Sequence, residues 1–189
     1  VQSPLFLAHV RASTGTATSR NNCHPFVQGR WSFMHNGQVG GFDRFRKSAD
    51  MLIDDAHYPD RRGATDSEAL FLIACGLGLD KNPRRALEAA VGQLQSMAAR
   101  NGFQGPLIRC TAALSDGETL YAIRYASDHL APSLYYQWHE TRRGWAVVSE
   151  PYEEDTQEWH AVPAGSFCRF TEDAVEISDF APTGSAQAA

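Results

Sequence analysis

Cysteine is scarce in this chain: Cys23, Cys75, Cys110 and Cys168 are the four in 189 residues, and no two form a C-x-x-C pair. That excludes a disulfide framework and a paired-thiol zinc or redox site, and it points to a reducing cytoplasm. Long apolar runs are missing as well. The longest, residues 70–79, falls far short of the ~20 residues a membrane-spanning helix needs. No signal-peptide pattern opens the chain, and no internal repeat or low-complexity tract interrupts it. There is no excess of basic residues: the net charge is −5, which argues against a general nucleic-acid binder.

What is present is ordinary for a globular domain, with 43% hydrophobic and 21% charged residues. A chain of this length can bury roughly 70% of its unfolded surface in one domain. Charge is uneven along it. Residues 1–62 carry 8 Lys/Arg against 5 Asp/Glu, and residues 150–189 carry 1 against 9. The mildly positive first third suits a small anionic ligand, whereas the acidic last third reads as a solvated surface.

Residues 5–11 form a short apolar run that predicts a buried strand. The Ser-, Thr-, Asn- and Gly-rich stretch 12–30 predicts a loop, and residues 31–35 a second strand. Residues 42–53 have a weak helical pattern. Two helices are better marked. Thr65-Asp66-Ser67-Glu68 has the capping-box form, with Thr65 as N-cap and Glu68 reaching back. Asn82 caps the other, Pro83 fits its first turn, and Leu87, Val91, Leu94 and Ala98 recur at helical spacing up to Gly102. That spacing turns Arg84, Arg85, Glu88 and Gln95 outward. Residues 107–114 and 119–125 then flank the hairpin signal Ser115-Asp116-Gly117-Glu118. Further strand pairs are expected at 134–138 with 145–149 and at 166–170 with 174–177. Strands, then helices, then hairpins predict an α+β layered fold rather than a doubly wound one.

His9, Arg11, Asn22, His24, His35, Asn36 and Gly37 crowd into 29 residues, and Asp66 opens the capped helix. Each has a bland reading. Asn36-Gly37 beside an apolar run is most often a hairpin turn, a strand-end histidine is usually structural, and Asp66 suits a helix start electrostatically. Three histidines raise a metal site, but there is no H-E-x-x-H and no close ligand pair.

The order of the blocks carries the sharper reading. His9-Val10-Arg11-Ala12-Ser13-Thr14, Asn22-Cys23-His24-Pro25-Phe26, His35-Asn36-Gly37 and Thr65-Asp66-Ser67-Glu68 together resemble the class II glutamine amidotransferases. These are N-terminal-nucleophile (Ntn) hydrolases. Val147-Val148-Ser149-Glu150-Pro151, with Trp159 and Pro163, resembles their stand-alone branch, as does Ala12 where other members often carry Trp.

The resemblance covers residues 5 to about 170 and implies an Ntn-hydrolase-like α/β/β/α four-layer sandwich, here assigned to residues 1–180; the small, polar residues that follow predict a flexible tail at 181–189. The resemblance makes Arg11 the partner of the substrate α-carboxylate, through two parallel hydrogen bonds. It makes Asp66 the holder of the α-ammonium. Asn36, through its side chain, and Gly37, through its backbone N–H, become the oxyanion hole, and His24 with Pro25 shapes the substrate loop. Arg11, Asn36, Gly37 and Asp66 should then converge on one pocket.

The family nucleophile is an N-terminal cysteine whose own α-amine serves as base. None of the four cysteines matches it by position, so the expectation is that it lies upstream of Val1. The implied reaction is amide hydrolysis of glutamine or a γ-glutamyl compound through a cysteinyl thioester. The alternatives are a γ-glutamyl conjugate hydrolase of the ergothioneine-pathway type and a catalytically silent glutamine-binding domain; a metallohydrolase is more distant. No cofactor, metal, nucleic acid or membrane is expected. Ammonia transfer would need a separate acceptor or synthase protein.

Overall fold

The computed structural model describes residues 5–10, 19–151, 158–172 and 174–182. Strands β1 (Phe26–Gln28) and β2 (Trp31–Val39) lead into helices α1 (Phe42–Asp50), α2 (Asp66–Gly76) and α3 (Pro83–Arg100). Six more short strands and one two-residue strand follow: β3 (Ile108–Ser115), β4 (Leu120–Ala126), β5 (Tyr135–His139), β6 (Gly144–Val148), β7 (His160–Ala161), β8 (Ser166–Phe170) and β9 (Val175–Asp179). They make a six-stranded sheet in the order β1-β2-β3-β4-β8-β9 and a three-stranded sheet in the order β6-β5-β7. Every ladder is antiparallel.

Alternation along the strands decides which face meets which layer. Trp31 and Phe33 on β2, Ile108, Cys110, Ala112 and Leu114 on β3, and Tyr121 and Ile123 on β4 pack with the three helices in one core. Phe33 stacks on Phe71 of α2 with ring centroids 5.2 Å apart. The alternate residues Ala122, Cys168 and Phe170 meet Leu134, Tyr136, Trp145, Val147 and Val162 on the other side. Three layers of the expected sandwich are thus among the described residues: helices, large sheet, small sheet. Arg124 on β4 bridges the last two. Its guanidinium donates to three backbone oxygens, of Pro132 at 2.9 Å, Val162 at 2.6 Å and Ala131 at 3.4 Å.

The helices form where their caps predict. Thr65 Oγ1 accepts the Glu68 N–H at 3.2 Å, and Asn82 Oδ1 accepts the Arg85 N–H at 3.0 Å. α2 is apolar all round and is buried from Ser67 to Ala74, as such a helix must be. On α3, Leu87, Val91, Leu94 and Ala98 are fully buried. The opposite face is less open than the spacing suggests. Arg85 is exposed, but Arg84 donates to the Asp179 carbonyl, Glu88 accepts the Ala181 N–H, and Gln95 Oε1 accepts the Tyr125 hydroxyl. Leu94→Ala should cost about 2–5 kcal/mol through the cavity it leaves. Gln95→Ala should cost only about 0.5–1.5 kcal/mol for one hydrogen bond. Urea unfolding of the two variants checks the order.

Three expectations meet a different structure. Leu5 to Val10 has no regular secondary structure, although burial alternates along it, with Phe6 and Val10 exposed. Asn36-Gly37 is no turn: β2 runs straight through it, opposite Thr111 and Cys110 of β3. A nine-residue strand laddered to β3 from Ser32 to Val39 overrides the local turn preference of an Asn-Gly pair. Glu68 does not reach back to its cap. Its carboxylate is taken by Arg61 and by the Arg62 and Gly63 N–H groups, a stronger set of partners. Of the tail expected at 181–189, residues 183–189 lie outside the described residues, and the Ala181 N–H donates to Glu88 Oε1 on α3 at 3.1 Å.

Candidate active site

The large sheet's second face, the N-terminus of α2 and the end of β6 enclose a cleft of about 770 Å³. Met34, Asn36 and Gly37 line it from β2, Thr111 and Ala113 from β3, Thr65 and Asp66 from the start of α2. Val148, Ser149 and Glu150 close one side; His9, Val10 and His24 close another. Asn36, Gly37, Asp66 and His24 therefore share one cleft. Arg11 lies outside the described residues, one position beyond the lining residue Val10.

Asn36 and Gly37 are exposed to the cleft although they sit within a sheet strand. Gly37 adopts φ +156°, and a Cβ built there would stand 2.0 Å from the Arg109 carbonyl oxygen. Real Cβ atoms do not approach that closely, so only glycine fits.

Asp66 is oriented by backbone. Oδ2 accepts the Val39 N–H at 2.7 Å, and Oδ1 accepts the Ser67 N–H at 2.9 Å. The carboxylate is thereby tied to the end of β2 while it sits on the positive end of α2, where a negative charge is stabilised.

The loop ahead of Asp66 is fixed by a buried charge cluster. Arg61 and Glu68 side chains are 4% and 6% exposed and meet at 2.6 Å, with Asp50 on the other side of the guanidinium at 3.0 Å. Asn22 Oδ1 accepts the Ala64 N–H at 2.8 Å. That bond joins the segment carrying His24 to the segment carrying Asp66. A Cβ at Gly63 would meet Asn21 O at 2.5 Å and Asn22 Oδ1 at 2.6 Å, so the two segments touch at backbone distance. The His24 ring meets the His9 ring at a tilt of 46°, with centroids 4.3 Å apart, and lies edge-on to Phe26 at 4.7 Å.

His35 is 3% exposed. Its Nε2 faces the Arg109 carbonyl at 3.2 Å and its Nδ1 faces Ser67 Oγ at 2.8 Å. A carbonyl only accepts, so Nε2 carries the proton and Nδ1 accepts from the serine hydroxyl. Burial lowers its pKa from the ordinary 6.5, against the opposing pull of the Asp66 charge and the Arg109 carbonyl. A histidine depressed in the fold binds its proton more readily when unfolded. Its contribution is complete above about pH 6.5 and is lost as pH falls, with a slope approaching ~1.4 kcal/mol per pH unit. Urea melts at pH 7, 6 and 5 should show this slope, and His35→Gln should flatten it.

Burial pushes three thiols up: Cys75 and Cys110 to about 12, Cys168 to about 11. They are protonated at neutral pH and serve as core or boundary residues. Cys23 is exposed, its Sγ 3.4 Å from the Ser19 carbonyl. Among the described residues no three His, Cys, Asp or Glu side chains converge as metal ligands would. No described helix is long and apolar enough to cross a membrane.

Residues 1–141 match the family model for glutamine amidotransferases class-II. The chain belongs to the class II glutamine amidotransferases. A solved glutamine aminotransferase class-II domain protein from Silicibacter pomeroyi is 50% identical, with a TM-score of 0.82 over 87% of this chain and 74% of that one. The probable glutamine amidotransferase DUG3 of Saccharomyces cerevisiae is 29% identical over 87% of this chain. The chain spans 56% of that protein's length. The glutamine phosphoribosylpyrophosphate amidotransferase of B. subtilis, at 15% identity and a TM-score of 0.61, shares the fold; the match covers 93% of this chain and 34% of that one. The amidotransferase fold is thus a mixed α+β Ntn-type sandwich with antiparallel sheets.

Sequence reasoning missed several parts of this amidotransferase cleft. Ser67 and Asn22 were legible as motif members, but not as the partners of His35 and Ala64. Thr111, buried with its hydroxyl on the Pro132 carbonyl at 3.1 Å, carries no motif signal at all.

Proposed function

We propose that the protein hydrolyses the side-chain amide of glutamine, or of a γ-glutamyl compound, through a cysteinyl thioester. The observation that carries this reading is the meeting of Asn36, Gly37 and Asp66 in one cleft, from blocks 30 residues apart in sequence. Asp66 holds the substrate ammonium: its carboxylate is already oriented by the Val39 and Ser67 N–H groups and lines the cleft. Asn36 and Gly37 receive the oxyanion that develops as the amide is attacked. Arg11 takes the α-carboxylate, and His24 with its loop shapes the wall. The nucleophile in this reading is the N-terminal cysteine of the class II family, and no family position for it falls on Cys23, Cys75, Cys110 or Cys168.

These assignments address only the glutamyl half of a substrate. A γ-glutamyl conjugate with a larger amine is held by the same groups, and this is the second reading. The thioester is hydrolysed by water, and the released ammonia either leaves or passes to a synthase active site.

The test uses the full-length protein, assayed for ammonia and glutamate release from glutamine and from a series of γ-glutamyl amides. Preference within the series separates the two readings. Asn36→Ala should lower kcat about 10²–10³-fold. Asp66→Asn should raise KM about 10–100-fold, the worth of a charged hydrogen bond. No release from any γ-glutamyl substrate would overturn the reading.

A further inference from the structure

We propose that His35 is a positioning residue for the oxyanion-binding backbone, and that it couples Gly37 to Asp66 through Ser67. The proposal rests on the γ-glutamyl amide reading of the cleft.

His35 lies two residues before Gly37 on β2, and its ring stands against the space that a side chain at residue 37 would enter. Gly37 has no side chain there, and the His35 imidazole occupies the space. A Cβ at residue 37 would lie 2.7 Å from His35 Nε2 as well as 2.0 Å from the Arg109 carbonyl oxygen. The absent side chain is what lets the ring reach that carbonyl at 3.2 Å. The donated bond holds Arg109 O against Gly37 and so holds the backbone at φ +156°.

The other ring nitrogen accepts from Ser67 Oγ at 2.8 Å, and the Ser67 N–H donates to Asp66 Oδ1 at 2.9 Å. Asp66 Oδ2 returns to β2 at the Val39 N–H. The result is a closed circuit of named bonds: Gly37 beside Arg109, then His35, Ser67, Asp66, Val39 and back to the strand. Both ring nitrogens are committed, so His35 has nothing left to offer a substrate. Its contribution is to fix the spacing between the ammonium holder and the oxyanion donors. Spacing of that kind matters most in the transition state, when the amide oxygen moves into its donors while the glutamyl end stays gripped.

Two amide substitutions separate the halves of the ring. In His35→Gln the side-chain NH₂ can stand in for Nε2–H and donate to Arg109 O. In His35→Asn the side-chain oxygen can stand in for Nδ1 and accept from Ser67, but the reach to Arg109 is lost. His35→Phe removes both bonds and keeps the ring. In the full-length protein acting on glutamine, His35→Asn and His35→Phe should lose about 10–100-fold in kcat with KM within about threefold. That loss is smaller than removal of an oxyanion donor itself. His35→Gln should recover to within about fivefold. The Gly37 amide resonance should move in the Asn and Phe variants and stay in the Gln variant.

Equal kcat losses in Asn and Gln, or a rise in KM at constant kcat, would overturn the coupling, as would an unmoved Gly37 amide in the Asn variant. Should His35→Phe fail to fold, the Asn and Gln pair decides. If the unmodified protein releases nothing from glutamine or γ-glutamyl amides, the functional reading falls, and the Gly37 resonance alone decides the coupling.

Discussion

Gly37→Ala should remove both activity and a large part of the stability of this fold. The new methyl would stand 2.0 Å from the Arg109 carbonyl oxygen and 2.7 Å from His35 Nε2. The carbonyl is backbone in β3, the central partner of β2, and cannot swing aside as a long side chain would. Relief requires β2 to separate from β3 or residue 37 to leave its dihedral angles; either displaces the oxyanion N–H. Overpacking of a rigid site typically costs about 1–3 kcal/mol, and displacement of one oxyanion donor about 10²–10³ in kcat. Thermal melting should fall by several degrees, and ammonia release from glutamine should drop at least a hundredfold. A variant with near-normal kcat would show that the Gly37 N–H takes no part.

The second large effect is expected at Glu68, which does not line the cleft. Its carboxylate satisfies Arg61 and the Arg62 and Gly63 N–H groups in a site almost closed to water. Glu68→Ala strips all three donors of their carboxylate at once and leaves Arg61 with Asp50 and the Thr65 carbonyl. Breaking a buried pair from one side costs about 3–5 kcal/mol where the remaining charge is uncompensated; Arg61 keeps Asp50, so the loss should lie near the lower end, with the Arg62 and Gly63 N–H groups left without their acceptor. Glu68→Gln keeps an acceptor for the backbone donors and should cost less. Differential scanning calorimetry of the two variants checks the ranking. KM should rise in Glu68→Ala as well, since the loop it fixes runs directly into Asp66.

Local chemistry made much of this fold legible. α2 and α3 announced themselves through Thr65 and Asn82, because an N-cap is a contact between neighbours three residues apart. The β3–β4 hairpin was readable from its Asp-Gly turn for the same reason. Asn36-Gly37 was ambiguous, since the turn preference is local and the pairing with Thr111 and Cys110 is not. Glu68 was read as half of a capping box, but the partners that outcompete the Thr65 N–H stand on a loop whose path no spacing rule gives. Of the cleft, the blocks in order named Asn36, Gly37, Asp66 and His24. The bonds that hold them in place, Asp66 to the Val39 N–H and Asn22 to the Ala64 N–H, join segments 27 and 42 residues apart. They become visible only when the chain has folded.

Arg124 bears on how freely such a domain can change its sequence. It clamps the small sheet to the large one through the carbonyls of Ala131, Pro132 and Val162, with no carboxylate in the set. A main-chain oxygen is supplied by any amino acid. Substitutions at those three positions leave the clamp's acceptors intact provided the backbone path is kept, whereas an ion pair would require two residues to change together. The junction between the sheets, which forms one wall of the cleft, can therefore tolerate drift in its loops while Arg124 itself stays irreplaceable: a lysine cannot span three acceptors with a planar fork.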